Sequence, residues 1–117
     1  MPQTHRLVAA LLLAVGTLLL AGCPPRESIG KIDRDPARFA GKEVTIAGNV
    51  VDSWGALGFG GFAVDDGTGR MWVLGEHFGV PGRGARVAVT GRIEQGVTMG
   101  GRSFAVVMRE TQRRHGS

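Results

Sequence analysis

Gly41-Lys42-Glu43-Val44-Thr45-Ile46-Ala47-Gly48-Asn49-Val50 and Gly84-Ala85-Arg86-Val87-Ala88-Val89-Thr90-Gly91-Arg92-Ile93 share one pattern. Each opens on glycine, alternates Val or Ile with smaller or polar residues, and carries an internal glycine at the same place. A period of two is the signature of a half-buried strand. Two copies are too few for a stacked repeat, which needs at least three units to bury a continuous core. They read as two strands meeting the same demands: a turn glycine to begin, one face toward a core, and an inner glycine where the strand bends around a barrel corner. A small closed barrel follows.

Working outward, the apolar runs 62–65 and 71–74 flank Asp66-Gly67-Thr68-Gly69, and Asp-Gly between such runs predicts a hairpin. A last strand is expected at 104–108, giving five strands with those at 44–50 and 87–93. The glycine-rich stretches 55–61 and 95–101 read as long hairpin loops, and 75–83, with Pro81, as an irregular connection holding at best one helical turn. Ahead of the first strand, Asp35-Pro36-Ala37-Arg38-Phe39-Ala40-Gly41 has a capping residue, proline at the first helical position and glycine past the end, which predicts a short helical turn pinned by Phe39. The fold class is therefore all-β, a five-stranded Greek-key barrel over residues 32–110, with 111–117 as a disordered tail.

The N-terminus carries a different message. His5 and Arg6 precede an apolar run at 7–21, broken only by Gly16 and Thr17. The run is shorter than the roughly 20 residues a spanning helix needs and fits the apolar core of a signal peptide. Leu20-Ala21-Gly22-Cys23 resembles the lipobox of bacterial lipoproteins. That resemblance implies cleavage after residue 22 and acyl chains on Cys23, with palmitate-type lipid holding the protein on a membrane. Two or more acyl chains anchor a protein firmly, at roughly 0.8 kcal/mol per buried methylene. Cys23 is the one cysteine of the chain, so no intramolecular disulfide can form, and lipidation accounts for the odd count. Residues 23–31 are expected to be a lipidated tether. In Gram-negative lipoproteins an aspartate after the cysteine retains the protein at the inner membrane; with Pro24 in that place, the resemblance implies the outer membrane facing the periplasm if the source is Gram-negative.

Composition limits what such a domain can be. The chain has 117 residues, 20 glycines and no tyrosine; without its leader it has room for one domain. A domain of that size buries only about 60–65% of its unfolded surface, so a compact, closed core must supply the stability. A formal charge of +4 is modest, and much of it lies in Arg109, Arg113 and Arg114.

The run from Asp35 to Met108 is similar to the bacterial OB-fold domains found in exported proteins and in anticodon-binding-like modules. The matching features are Asp35-Pro36, the segment 41–48, the hairpin Asp65-Asp66-Gly67-Thr68-Gly69, and Gly84 with the alternating strand behind it. The departure is the short 75–83 connection, where many such domains insert a helix. OB-folds bind extended polymers across strands two and three and through the loops joining strands one to two and four to five. The resemblance thus implies a binding module whose candidate residues are Trp54 and Phe59 in the first loop, Arg70 and Trp72 on strand three, and Arg102 in the second loop. Aromatic rings beside arginines suit a stacked, anionic or sugar-like ligand. Trp72 faces outward if Met71 and Val73 face inward, and joins the core in the opposite register.

Two other roles compete with ligand capture: docking on an envelope protein or cell-wall polymer through the apolar segment 54–62, and binding single-stranded nucleic acid, which an anchor outside the cytoplasm disfavours. A haem-chaperone role would need a histidine at the barrel end with a neighbouring tyrosine, and His115 has none. No nucleophile, base and acid combination stands out, and His77 is isolated, so no enzyme activity and no cofactor are expected. Adjacent Asp65 and Asp66 before Gly-Thr-Gly favour a side-chain-braced turn over a metal site.

Overall fold

A computed structural model of the chain describes residues 24–56, 59–75, 79–99 and 101–115. The expected leader, Cys23 and His77 lie outside the described residues. Two short helices, α1 (Ile29–Arg34) and α2 (Pro36–Phe39), precede five strands: β1 (Glu43–Ala56), β2 (Phe59–Asp65), β3 (Arg70–Gly75), β4 (Arg86–Met99) and β5 (Arg102–His115). The strands close into a barrel in the order β1-β2-β3-β5-β4. All neighbours are antiparallel except β3 and β5, which meet in parallel over Trp72↔Val107, Val73↔Met108 and Leu74↔Arg109. This is the five-stranded, OB-fold-like barrel that the sequence pattern implies.

The two matching segments lie side by side. β1 and β4 pair antiparallel with Ile46 opposite Val89, the two equivalent positions of the pattern. A local two-fold axis therefore passes between them. Backbone bonds obey it: Gly41 N–H donates to Ile93 O as Gly84 N–H donates to Val50 O, and Ile93 N–H donates to Lys42 O as Val50 N–H donates to Ala85 O. The opening glycines, Gly41 (φ 78°) and Gly84 (φ 88°), both take the left-handed conformation that glycine adopts without penalty. The inner glycines mark the corners. At Gly48 a Cβ would collide with the carbonyl of Asp65 on β2, and at Gly91 with that of Arg109 on β5.

Val44, Ile46, Val50, Phe62, Val64, Met71, Val73, Val87, Val89, Ile93 and Met108 fill the interior. One barrel end is stoppered by α1, whose Ile29 and Ile32 are fully buried. Its first N–H groups have no partner within the helix; all three find one elsewhere. Ile29 N–H donates to Asp66 Oδ2 (2.9 Å), Gly30 N–H to Thr68 Oγ1 (2.9 Å) and Lys31 N–H to Ser28 Oγ (3.3 Å). The β2–β3 turn thus caps the helix with a carboxylate, the charge that a helix N-terminus favours. Asp65 and Asp66 also brace the turn itself, accepting from Gly67, Thr68 and Gly69 N–H.

At the opposite end lies a buried ion pair. Arg113 donates through Nε to Glu110 Oε2 (2.6 Å) and through Nη2 to Gly79 O (2.8 Å), with its guanidinium 4.6 Å from the ring centre of Phe62. Both side chains are almost wholly buried. Residues three apart on a strand normally face opposite sides. Here the β4–β5 register shifts between Thr90 and Gly91, making Thr111 a bulge that turns Arg113 to the same side as Glu110.

Several sequence-based boundaries move. Residues 24–31 are not a free tether: Arg26 bridges to Thr45, Thr45 N–H donates to Pro25 O and Glu27 N–H to Thr45 O, so the folded body starts before Ile32. The tail expected at 111–117 is strand to His115, because Gln112, Arg113, Arg114 and His115 pair with β4. The long loops expected at 55–61 and 95–101 are mostly strand: Gly55 pairs with Gly60, and β4 runs to Met99. Glycine lowered the apparent strand signal there without removing the backbone groups that make the ladder. Pro36 opens α2 as expected, yet Asp35 makes no side-chain cap.

Two outcomes follow for stability. Burial raises the affinity of Asp66 for its proton, but hydrogen bonds from Ile29, Thr68 and Gly69 outweigh it and hold the carboxyl below its usual 3.8. The stabilisation is therefore complete above the unfolded value and is lost as pH falls through the lower folded value. Asp66→Asn is expected to cost about 2 kcal/mol near pH 7 and progressively less as the pH falls below the usual carboxylate range, measured by urea unfolding across that range. Arg113→Met strands Glu110 without its partner and should cost about 3 kcal/mol or more, whereas Glu110→Leu with Arg113→Met should restore most of that loss.

Candidate functional site

The outer face of β1, β2 and β3 carries two cross-strand rows. Asp52, Ala63, Trp72 and Val107 stand in register, and next to them Trp54, Gly61, Leu74 and Arg109. The small residues of β2 form a floor between larger side chains. At Gly61 a Cβ would stand 3.0 Å from Trp54 Nε1 and 3.4 Å from Leu74 Cδ2, so the indole lies directly on the backbone of β2. Trp54 Nε1 is buried with no hydrogen-bond acceptor among the described residues.

Trp54 reaches this face through a bulge. The inward set Val44, Ile46 and Val50 would continue inward at 52 and 54 if the pleat were unbroken. The β1–β2 register shifts between Val50 and Asp52, leaving Val51 unpaired and sending Asp52 and Trp54 outward. Trp72 faces outward because Met71 and Val73 are buried inward, and it is only half-buried.

A wall rises from the β4–β5 hairpin. Gly96 has φ 64° in the middle of β4, and the pair expected opposite it is missing from the ladder. A residue in the left-handed region interrupts strand alternation. Beyond it Val97 and Phe104, opposite one another, join Leu74, Val107 and Trp72 in a second apolar cluster outside the barrel. The rings of Trp72 and Phe104 lie 5.8 Å apart at 57°. Arg102 sits over both, 5.1 Å from the Trp72 ring and 5.7 Å from Phe104, within the range of a cation–π contact.

Two ion pairs flank the site. Asp52 accepts from Arg83 Nη2 at 2.9 Å. That bond, with the Ser53 N–H and the positive charges of Arg83 and Arg102, holds its carboxyl below the usual range against a smaller effect of desolvation. Glu94 takes both Nε and Nη2 of Arg109, at 3.0 and 3.1 Å, and is held low chiefly by that fork.

The structure therefore brings Trp54, Trp72 and Arg102 onto one face. Phe59 is placed by its backbone opposite Ala56, and its side chain lies outside what the structure describes. Arg70 is exposed at the far end of β3, opposite Asp65, and takes no part in the cluster. Asp52, Arg83 and Phe104 belong to the site and escaped the sequence reading. Asp52 turns outward only because of the bulge at Val51, and Phe104 had the apolar character of a core residue. Among the described residues no three His, Cys, Asp or Glu side chains gather as a metal site. Gly96→Ala, placing a Cβ at a positive φ, should cost about 1–2 kcal/mol and withdraw Arg102 and Phe104 from Trp72, read as a shift in tryptophan fluorescence without loss of the far-ultraviolet strand signal.

No protein-family model and no curated protein sequence matches the chain. Solved structures do. The chain is similar to OBody AM3L09 bound to hen egg-white lysozyme (TM-score 0.54, 19% identity), over 67% of this chain and 84% of that one. It is similar to asparaginyl-tRNA synthetase from Pyrococcus horikoshii (TM-score 0.55, 18% identity, 67% of this chain). It is also similar to a putative aspartyl-tRNA synthetase from Leishmania major Friedlin (TM-score 0.61, 12% identity, 80% of this chain). It spans 20% and 21% of those synthetase chains. At these identities the likeness is one of fold, and the barrel described above is an OB-fold.

Proposed function

We propose that this chain is a lipoprotein held outside the cytoplasm by acyl chains on Cys23, and that its barrel is a non-catalytic binding module for an envelope protein or polymer. The observation that carries the binding role is the aromatic face laid over Gly61 and Ala63, with Trp54 on one side and Trp72, Phe104 and Arg102 on the other. Flat aromatic surface that is already ordered binds with little loss of side-chain entropy, and an arginine beside it adds a directional donor. The similarity to an OBody bound to lysozyme supports protein capture by a barrel of this shape. The anchor rests on Leu20-Ala21-Gly22-Cys23 and the apolar run before it.

Single-stranded nucleic acid is the second reading, favoured by one observation: Arg102 stacked on Trp72, the pairing of ring and cation on which bases stack. The two are separated by salt. Nucleic-acid binding weakens steeply as salt rises because counterions are released, whereas capture through apolar rings does not.

Intact mass of the membrane-extracted protein tests the anchor. A chain starting at Cys23 with a lipid-sized increment is expected, and an unlipidated soluble chain would refute it. Trp72→Ala and Trp54→Ala should each weaken capture of envelope components in a pull-down from membranes by roughly tenfold or more, with the barrel still folded. Unfolding in both variants would make the rings structural and sink the platform.

A further inference from the structure

The stretch beside the anchor is built into the barrel, and that fixes which side of the domain meets the membrane. Pro24 lines a groove of about 280 Å³ together with Arg26, Thr45, Thr90, Gln112 and Arg114. The groove lies on the outer face of β1, β4 and β5, since Thr45 and Thr90 alternate with the inward Val44, Ile46 and Val89. Cys23 is one peptide bond from Pro24, and consecutive Cα atoms are about 3.8 Å apart. The chain cannot swing away from the groove after Pro24, because Pro25, Arg26 and Glu27 are held along β1 by the Thr45 bonds. Any group attached at Cys23 therefore leaves the domain at this groove with no free linker.

The groove has the chemistry to receive an anionic surface. Arg26 and Arg114 are exposed, neither forms an ion pair with a described residue, and no acidic side chain lines the groove. Glu27, next in sequence, is engaged by Lys31 at 3.2 Å. Thr45 and Thr90 hydroxyls, 2.6 Å apart, add polar atoms to its floor. In the closed order β1-β2-β3-β5-β4, β4 at the centre of the groove lies across the barrel from β2 and from β3, which carries Trp72.

We infer that this groove docks on the anionic phospholipid headgroups of the membrane holding the anchor, so that the barrel lies flat with Arg26 and Arg114 on the bilayer and the Trp54–Trp72 face turned away from it. The inference rests on the reading of Cys23 as the lipid anchor. It adds an orientation and a lipid preference to that reading: the binding face is presented to the compartment rather than to the bilayer.

The test uses the full lipidated chain in vesicles of phosphatidylcholine, with or without phosphatidylglycerol. Because Cys23 is the one cysteine and is blocked by lipid in this reading, Gln112→Cys takes a single fluorophore at the groove and Arg70→Cys takes one across the barrel. With a quencher on the lipid headgroups, the label at 112 should be quenched strongly in anionic vesicles and the label at 70 weakly. Arg26→Ala and Arg114→Ala should each lower the groove-down population about fivefold. Equal quenching at both positions, or quenching at 112 indifferent to phosphatidylglycerol, overturns the docking while leaving the anchor intact. A chain that carries no lipid by intact mass overturns the anchor, and the docking with it. The comparison of label positions and lipids stands without either arginine variant.

Discussion

Closing a sheet of five strands on itself gives every strand two neighbours, and the long strands β1 and β4 must bend to reach both of theirs. β1 leaves β4 for β2 at Gly48, where the carbonyl of Asp65 occupies the space a side chain would need. β4 makes the equivalent approach to β5 at Gly91. A Cβ at either place would push strands apart, and a barrel with one parted seam exposes edge hydrogen bonds and core together. The repeated ten-residue pattern is thus a geometric requirement met twice, about a local two-fold axis between Ile46 and Val89.

A closed barrel of this length still has two open ends, and the chain stops them by different means. α1 delivers Ile29 and Ile32 to one end because the β2–β3 turn satisfies its first N–H groups. Gly30 belongs to this contact, since a Cβ there would stand 2.8 Å from Thr68 O. Asp33 is drawn close as well, and burial, followed by the charge of Asp66, raises its pKa above the usual value. The other end is filled by the Glu110–Arg113 pair over Phe62. Such a pair holds a defined arrangement more than it adds stability, because desolvation offsets most of its attraction.

The alternation of Val44, Ile46 and Val87, Val89, Ile93 made the barrel and its corner glycines readable from sequence, as did the Asp-Gly turn. Three departures from alternation were not readable: the bulge at Val51, the left-handed Gly96 and the bulge at Thr111. Each re-aims the side chains beyond it. Val51 sends Trp54 outward, Gly96 brings Phe104 and Arg102 onto Trp72, and Thr111 turns Arg113 inward. A bulge is settled by what the neighbouring strands accept, so a single chain read in order carries little sign of it. The same holds for Ile29, an isolated apolar residue in a polar stretch whose burial depends on a turn far along the chain.

The parallel contact between β3 and β5 sets a non-local seam beside hairpins that are local in sequence. β2 with β3 and β4 with β5 are hairpins of near neighbours in sequence, able to form early because little loop entropy is lost. β3 and β5 meet over only Trp72, Val73 and Leu74, a contact between segments farther apart in sequence than either hairpin's strands and so costlier in loop entropy. With the β1–β4 pairing, this short seam closes the cylinder. Trp72 and Leu74 rest on it, so the aromatic face is built across a seam that the barrel needs in order to be closed.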